Sequence, residues 1–211
     1  MNKYTPELTK EQRLVYAERF ADIERNLKPL CKWVDFYDYL WSYSSLNYTD
    51  KVVLDIGADV GSSAIFFLLS GAKKVYMVEN NPNYIKEYKR LKEIGYLNGI
   101  LNNTELIDAS DINNINFDIL KMDCEGCELD LLTSTLLDKA KEFVVAIHSL
   151  DILEDSQESK NSIYLDYDRK QNYESLIFFL KGAVDVLSNK YGGHYFGKVN
   201  DKEFVFIKKV D

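Results

Sequence analysis

Residues 52–63 read VVLDIGADVGSS, an apolar run that breaks into an acid, two glycines four apart and small polar residues. An uninterrupted apolar run of this length ahead of a glycine turn reads as a buried parallel strand leading into a helix. The turn is ill suited to a phosphate. A dinucleotide fingerprint G-x-G-x-x-G would place glycines at 57, 59 and 62, whereas the chain has Gly57, Asp59 and Ser62. The middle glycine of that motif lets pyrophosphate approach the backbone, and an aspartate there adds both a side chain and a repelling charge. The phosphate-cradling pattern that ends in Lys-Ser or Lys-Thr is also absent.

Outward from this turn, strand and helix alternate. The strand VVLDI leads through the turn GADVG to a helix over about 62–70, followed by a strand KVYMVE that ends at Glu79. Pro82 suits the first turn of the next helix, TELID around Asp108 gives a third strand, and FDILKMD gives a fourth. An acidic turn CEGCE and a helix DLLTSTLL follow, then a strand FVVAIH ending at His148. Further on lie a helix YESLIFFLKG, a possible strand around VDVLS, a turn YGGHYFG and a closing strand EFVFIKK; the polar stretch DILEDSQESKNS reads as a loop. This alternation implies an α/β protein with a parallel sheet covered by helices on both faces. Residues 1–48, with amphipathic spacing from Pro6 to Cys31 and an aromatic stretch after it, read as a helical cap packed on a domain of residues 49–211.

Composition narrows the function classes. The 211 residues carry a net charge of -8, which argues against a large phosphate-neutralising surface and so against a nucleic-acid partner. Three cysteines cannot pair completely and the start lacks a long apolar leader, so a cytoplasmic location is expected. No apolar run approaches the ~18 residues that cross a bilayer. Oligomeric state is not legible.

In open α/β sheets the ligand lies beyond the carboxyl ends of the strands, so Asp55 to Gly61, Glu79, Asp108, Asp123 to Glu128 and His148 are the candidate site residues. A ligand that keeps adenosine but replaces phosphates with a sulfonium and an amino-acid tail suits the acids, and S-adenosylmethionine is that ligand. Cofactor-binding candidates are Asp55, Gly57, Ala58, Asp59, Gly61 and Ser62 in the first turn, Glu79 and Asn80 after the second strand, Asp108 and Ala109 after the third, and Asp123 after the fourth. Asp55 would accept from the ammonium directly or through water and Glu79 from both ribose hydroxyls; as the alternative, both cap turns or helices.

The stretch 52–83, VVLDIGADVGSSAIFFLLSGAKKVYMVENNPN, resembles the first two motifs of class I S-adenosylmethionine-dependent methyltransferases. The stretch 117–132, FDILKMDCEGCELDLL, resembles the Asp-x-Leu-Lys-x-Asp-x-Glu-Gly-x-Glu signature of the FkbM-type methyltransferases. The resemblance spans roughly residues 50 to 150. It implies a Rossmann-like, mostly parallel seven-stranded sheet with an antiparallel last strand, and methyl transfer to a hydroxyl on a small molecule or sugar. The catalytic candidates are His148 as general base, with Asp123 and Glu125 beside it. Ala146 stands where the family often has glutamate in Glu-x-His, and no metal is expected. A non-catalytic adenosyl-binding module and a nicotinamide oxidoreductase remain the alternatives. Cys124 and Cys127 form C-x-x-C, but the neighbouring acids Asp123, Glu125 and Glu128 oppose thiolate formation, and a zinc site would need two further ligands. Lys121 serves either a structural ion pair or a substrate contact.

Overall fold

The computed structural model describes residues 8–124, 136–148, 187, 189–192, 194–198 and 203–208. The chain divides into two compact units, Pro6–Lys121 and Met122–Asp211 with Met1–Thr5.

In the first unit the strands are β1 (Val52–Ile56), β2 (Lys74–Val78), β3 (Thr104–Leu106) and β4 (Ile119–Met122, whose last residue belongs to the second unit), in the order β3-β2-β1-β4. β1 and β2 pair parallel with Asp55 opposite Met77, and β2 and β3 pair parallel with Val75 opposite Thr104. Val53, Leu54 and Ile56 are buried on successive residues, as expected for a parallel strand covered on both faces. Helix α4 (Ser62–Leu69) follows β1 and α5 (Pro82–Glu93) follows β2. Asn81 caps α5 by accepting from the Asn83 amide at 2.9 Å, and Pro82 stands in its first turn. The α/β class read from the sequence is therefore present, with the crossover helices in the expected places.

The N-terminal stretch is helical from α1 (Lys10–Val15) through a π-helical turn (Tyr16–Phe20) to α2 (Ala21–Leu27). A capping box starts it: Thr9 Oγ1 accepts from the Gln12 amide at 3.2 Å and Gln12 Oε1 from the Thr9 amide at 2.9 Å. The aromatic segment forms α3 (Phe36–Tyr43), capped by Asp35, whose Oδ1 accepts from the Asp38 amide at 2.9 Å. These helices turn their rings onto α4. Phe66 sits 5.5 Å from Phe20, 6.1 Å from Tyr39, 6.2 Å from Tyr43 and 6.2 Å from Tyr48, and Phe20 stacks on Phe36 at 5.1 Å.

In the second unit β5 (Glu142–His148), β6 (His194–Lys198) and β7 (Glu203–Lys208) run in the order β5-β7-β6, and both pairings are antiparallel. A short helix α6 (Leu136–Lys139) precedes β5. Its Asp138 accepts from the Tyr191 hydroxyl at 2.6 Å and pairs with Lys190 at 2.8 Å, while Tyr191 packs edge-on against Phe143 at 5.2 Å.

Two sequence expectations are corrected here. Of the possible strand at VDVLS only Leu187 is described, and it is helical, as are Asn189 to Tyr191. The turn YGGHYFG is a turn only at its start, where Gly192 has φ 69°, because His194 to Lys198 form β6 and pair with β7. Aromatic residues favour the pleated surface, and Tyr195 stands opposite Phe206. The acidic turn from Glu125, the loop DILEDSQESKNS and the helix YESLIFFLKG lie outside the described residues.

Because Phe66 is 1% exposed and touches rings from α3, from the π-helical turn and from Tyr48, Phe66→Ala is expected to lower the unfolding free energy by about 3–5 kcal/mol. Urea denaturation measures this, and a loss below about 1 kcal/mol would show that the N-terminal helices do not share a core with α4.

Candidate functional site

The first turn rests on a buried ion pair. Asp55, at the end of β1, is 0% exposed, and Lys121 of β4 is 3% exposed with its Nζ 3.0 Å from Asp55 Oδ1. The other oxygen, Oδ2, accepts from Ser63 Oγ at 2.6 Å. The lysine also donates to the carbonyl of Gly57 at 2.6 Å and to that of Ile56 at 3.4 Å. A buried charge is tolerated only when paired and hydrogen-bonded. Asp55 faces Lys121 and Ser63 with no exposed surface, so it underpins the turn; Lys121 is structural, one of the two roles open to it from sequence.

Above this pair the backbone curls against the end of β2. The amides of Gly57 and Ala58 both donate to the Val78 carbonyl, at 3.0 and 3.2 Å. Gly57 has φ 77° and Gly61 φ 87°, left-handed conformations in which a side chain is strained. At Gly61, which caps α4, a Cβ would also come within 3.3 Å of Tyr88 Cδ2 and 3.5 Å of Met77 Cε. Asp59 adopts φ 46° without being glycine, in a region that aspartate tolerates better than most residues.

Hydrogen bonds hold Asp59 there. Its amide donates to Glu79 Oε2 at 2.8 Å, its Oδ1 accepts from the Ser62 amide at 3.1 Å, and its Oδ2 accepts from Ser62 Oγ at 2.6 Å. Burial pushes the Asp59 carboxyl up to about 7, against the lowering effect of the two Ser62 hydrogen bonds and of Lys121. Glu79, half-buried, also accepts from the amides of Asn80 and Asn81, both at 2.8 Å, through Oε1. Its carboxylate thus ties the loop after β1 to the loop after β2.

Asp55, Gly57, Ala58, Asp59, Gly61, Ser62, Glu79 and Asn80 therefore come together at the carboxyl ends of β1 and β2. The loop after β3 is set beside β2 by the Ile107 amide, which donates to the Met77 carbonyl at 2.9 Å. Asp108 in that loop is exposed and caps a 3-10 turn, accepting from Ser110 N and Oγ at 2.8 and 2.7 Å, and those bonds hold its carboxyl below the usual range. Ala109 beside it is exposed. In the second unit, Asp123 follows β4 half-buried and His148 is the last residue of β5, opposite Glu203; Glu125 lies outside the described residues. Cys124 is disulfide-bonded, and Cys31 is a buried free thiol.

Sequence reading missed Tyr39. Its hydroxyl lies 2.8 Å from Ser62 Oγ and 3.4 Å from Asp59 Oδ2. The aromatic spacing of α3 foretold packing, and nothing in it marked one hydroxyl as polar partner of the turn.

The donor set fits an adenosyl sulfonium. Helix N-termini attract anions, but the first turn of α4 already holds the Asp59 carboxylate on the Ser62 amide and hydroxyl. Lys121 is held beneath the turn by Asp55. What the turn offers is carboxylate charge, with glycine backbone at Gly57 and Gly61.

No family model matches the chain. Among solved structures, a Staphylococcus aureus protein provisionally assigned as a caffeoyl-CoA O-methyltransferase is 15% identical, covering 96% of this chain and 100% of its own, with a TM-score of 0.56. The magnesium protoporphyrin IX methyltransferase ChlM of Synechocystis PCC 6803, with bound SAH, is 14% identical, covering 94% of each chain, with a TM-score of 0.51. At such identities the likeness establishes the fold, which is the Rossmann-like fold of class I methyltransferases. Two viral relatives are far nearer in sequence: Uncharacterized protein 158B of Sulfolobus islandicus rod-shaped virus 1 is 39% identical over 126 residues, 56% of this chain and 72% of its own. Uncharacterized protein 65 of Sulfolobus islandicus filamentous virus (isolate Iceland/Hveragerdi) is 33% identical over 111 residues, 53% of this chain and 68% of its own. On a methyltransferase-like fold, with an acidic first turn braced by a buried lysine, the chain belongs to the family of these two Sulfolobus virus proteins.

Proposed function

We propose that the protein is an S-adenosylmethionine-dependent methyltransferase acting on a hydroxyl oxygen of a small molecule or sugar. One observation carries the cofactor assignment: the Asp59 carboxylate occupies the N-terminal turn of α4, where a dinucleotide would need to set its pyrophosphate. Ionised, Asp59 attracts a cationic ligand and repels a phosphate, and a bound cation favours that ionised form. Gly57 and Gly61 let the ligand approach the backbone, Glu79 is fixed by three backbone amides for the ribose, and Asp108 with Ala109 stands for the adenine edge. The wholly buried Asp55 acts on the ligand through the turn that it supports.

When bound, the cofactor supplies an already activated methyl group on a sulfonium centre. What the chain must add is alignment, exclusion of water and a base for a neutral hydroxyl. His148 at the end of β5 is assigned as that base, with Asp123 and Glu125 as the carboxylates that orient the acceptor. The likeness of residues 117–132 to the FkbM-type signature supports an oxygen acceptor. The net charge of -8 favours a small acceptor over nucleic acid.

Calorimetry is expected to show S-adenosylhomocysteine binding and no binding of NAD; the reverse preference would overturn the assignment. Replacing Glu79 with alanine should weaken S-adenosylhomocysteine binding by about 1.5–3 kcal/mol, the range for hydrogen bonds to a charged group, and an unchanged dissociation constant in a folded variant removes Glu79 from the site. In a mass-spectrometric screen for methylated acceptors, His148→Ala should retain cofactor affinity while turnover falls about 10²- to 10⁴-fold; near wild-type turnover would eliminate the histidine base.

A further inference from the structure

We propose that Tyr39, from the N-terminal helix α3, is a positioning residue of the cofactor site: through its hydroxyl it orients Ser62 and Asp59 and so sets the geometry and charge of the turn that receives the ligand. This rests on the cofactor reading above.

Tyr39 is 7% exposed, and its ring is wedged between Phe36 at 5.3 Å, Tyr43 at 5.4 Å and Phe66 at 6.1 Å. A hydroxyl brought this deep must find a partner or cost free energy. It lies 2.8 Å from Ser62 Oγ and donates to Asp59 Oδ2 at 3.4 Å. Ser62 in turn donates its own hydroxyl to the same Asp59 oxygen at 2.6 Å. Because Ser62 gives its one hydroxyl proton to Asp59, Ser62 Oγ accepts from Tyr39, whose proton is shared between Ser62 Oγ and Asp59 Oδ2; the three groups form a polar cluster with one member in each of α3, α4 and the turn. In the same N-terminal segment the Cys31 thiol is pushed up to about 12, by burial first and then by the Asp59 carboxylate.

Charged groups from several elements act on Asp59. Lys121 of β4 favours its ionised form, whereas Asp55 of β1 opposes it, and Glu79 after β2 accepts from its amide. Cys31 stays a neutral thiol throughout the neutral range. With a carboxyl that titrates near neutrality, the Tyr39 donor matters: a hydrogen bond to the carboxylate lowers its pKa, so loss of the hydroxyl raises it. A ring that only filled space would not move that titration.

The raised carboxyl makes stability depend on pH. Between the unfolded value of about 4 and the folded value of about 7, the native state keeps a proton that the unfolded state has lost, so stability falls as pH rises through that window and is level above it. Asp59→Asn abolishes this loss.

The test uses the full chain in four forms: wild type, Tyr39→Phe, Asp59→Asn and the double variant. The melting-temperature gain of Asp59→Asn over the wild type should grow from about pH 4 and level off near pH 7, and, measured against Tyr39→Phe and the double variant, level off about half a pH unit higher. S-adenosylhomocysteine, titrated at pH 7, should bind Tyr39→Phe about 3- to 10-fold more weakly than wild type. If Tyr39→Phe folds poorly, Ser62→Ala breaks the same cluster from α4 and should move both readouts in the same direction. An unshifted titration together with unchanged affinity overturns the role of Tyr39. Absence of S-adenosylhomocysteine binding by the wild type would instead overturn the cofactor reading, and Tyr39 with it, while the titration arm still reports the contact independently of any ligand.

Discussion

The buried contact between Lys121 and Asp55 is the constraint on which the rest of the site depends. It joins the ends of β1 and β4 and, through the lysine's donations to the carbonyls of Ile56 and Gly57, fixes where the chain leaves the sheet. Removing either partner would leave a charge buried without compensation, a situation that costs several kcal/mol. The pair thus gives the turn a defined starting point. The glycine turn, the Asp59 carboxylate and α4 are all referred to that point.

A second layer of electrostatics lies on top of the first. The N-terminus of α4 would ordinarily invite an anion from outside, but the chain supplies its own in Asp59, held by the Ser62 amide and hydroxyl. Glu79 repeats the device one loop away by collecting the amides of Asp59, Asn80 and Asn81. Carboxyl groups held by backbone amides stay in place, and their ionised forms put negative charge at the ends of β1 and β2. That is the reverse of a phosphate-binding loop built on the same strand-turn-helix frame.

The N-terminal helices enter this design through their aromatic face. Rings from Phe20, Tyr39, Tyr43 and Tyr48 surround Phe66 on α4, so the helix that carries Ser62 and Ser63 packs against segments that precede the sheet in sequence. The same packing carries the Tyr39 hydroxyl to Ser62. Stability of the cap and geometry of the turn are therefore properties of one interface.

Local sequence determined a good deal of this protein. The apolar run of β1, the cap and proline at Asn81 and Pro82, and the replacement of two fingerprint glycines by Asp59 and Ser62 are short-range signals. Hydrophobic period and backbone sterics act within a few residues, which makes them legible. The same locality explains the errors. A short apolar stretch such as VDVLS fits strand and helix alike, and its one described residue, Leu187, is helical; at YGGHYFG the glycines hid a strand completed by pairing with β7. What only the tertiary structure decided are the partnerships across long separations. Lys121 meets Asp55 from 66 residues away and Tyr39 meets Ser62 from 23, because strand order and helix packing, not spacing along the chain, choose which polar atoms share a buried space.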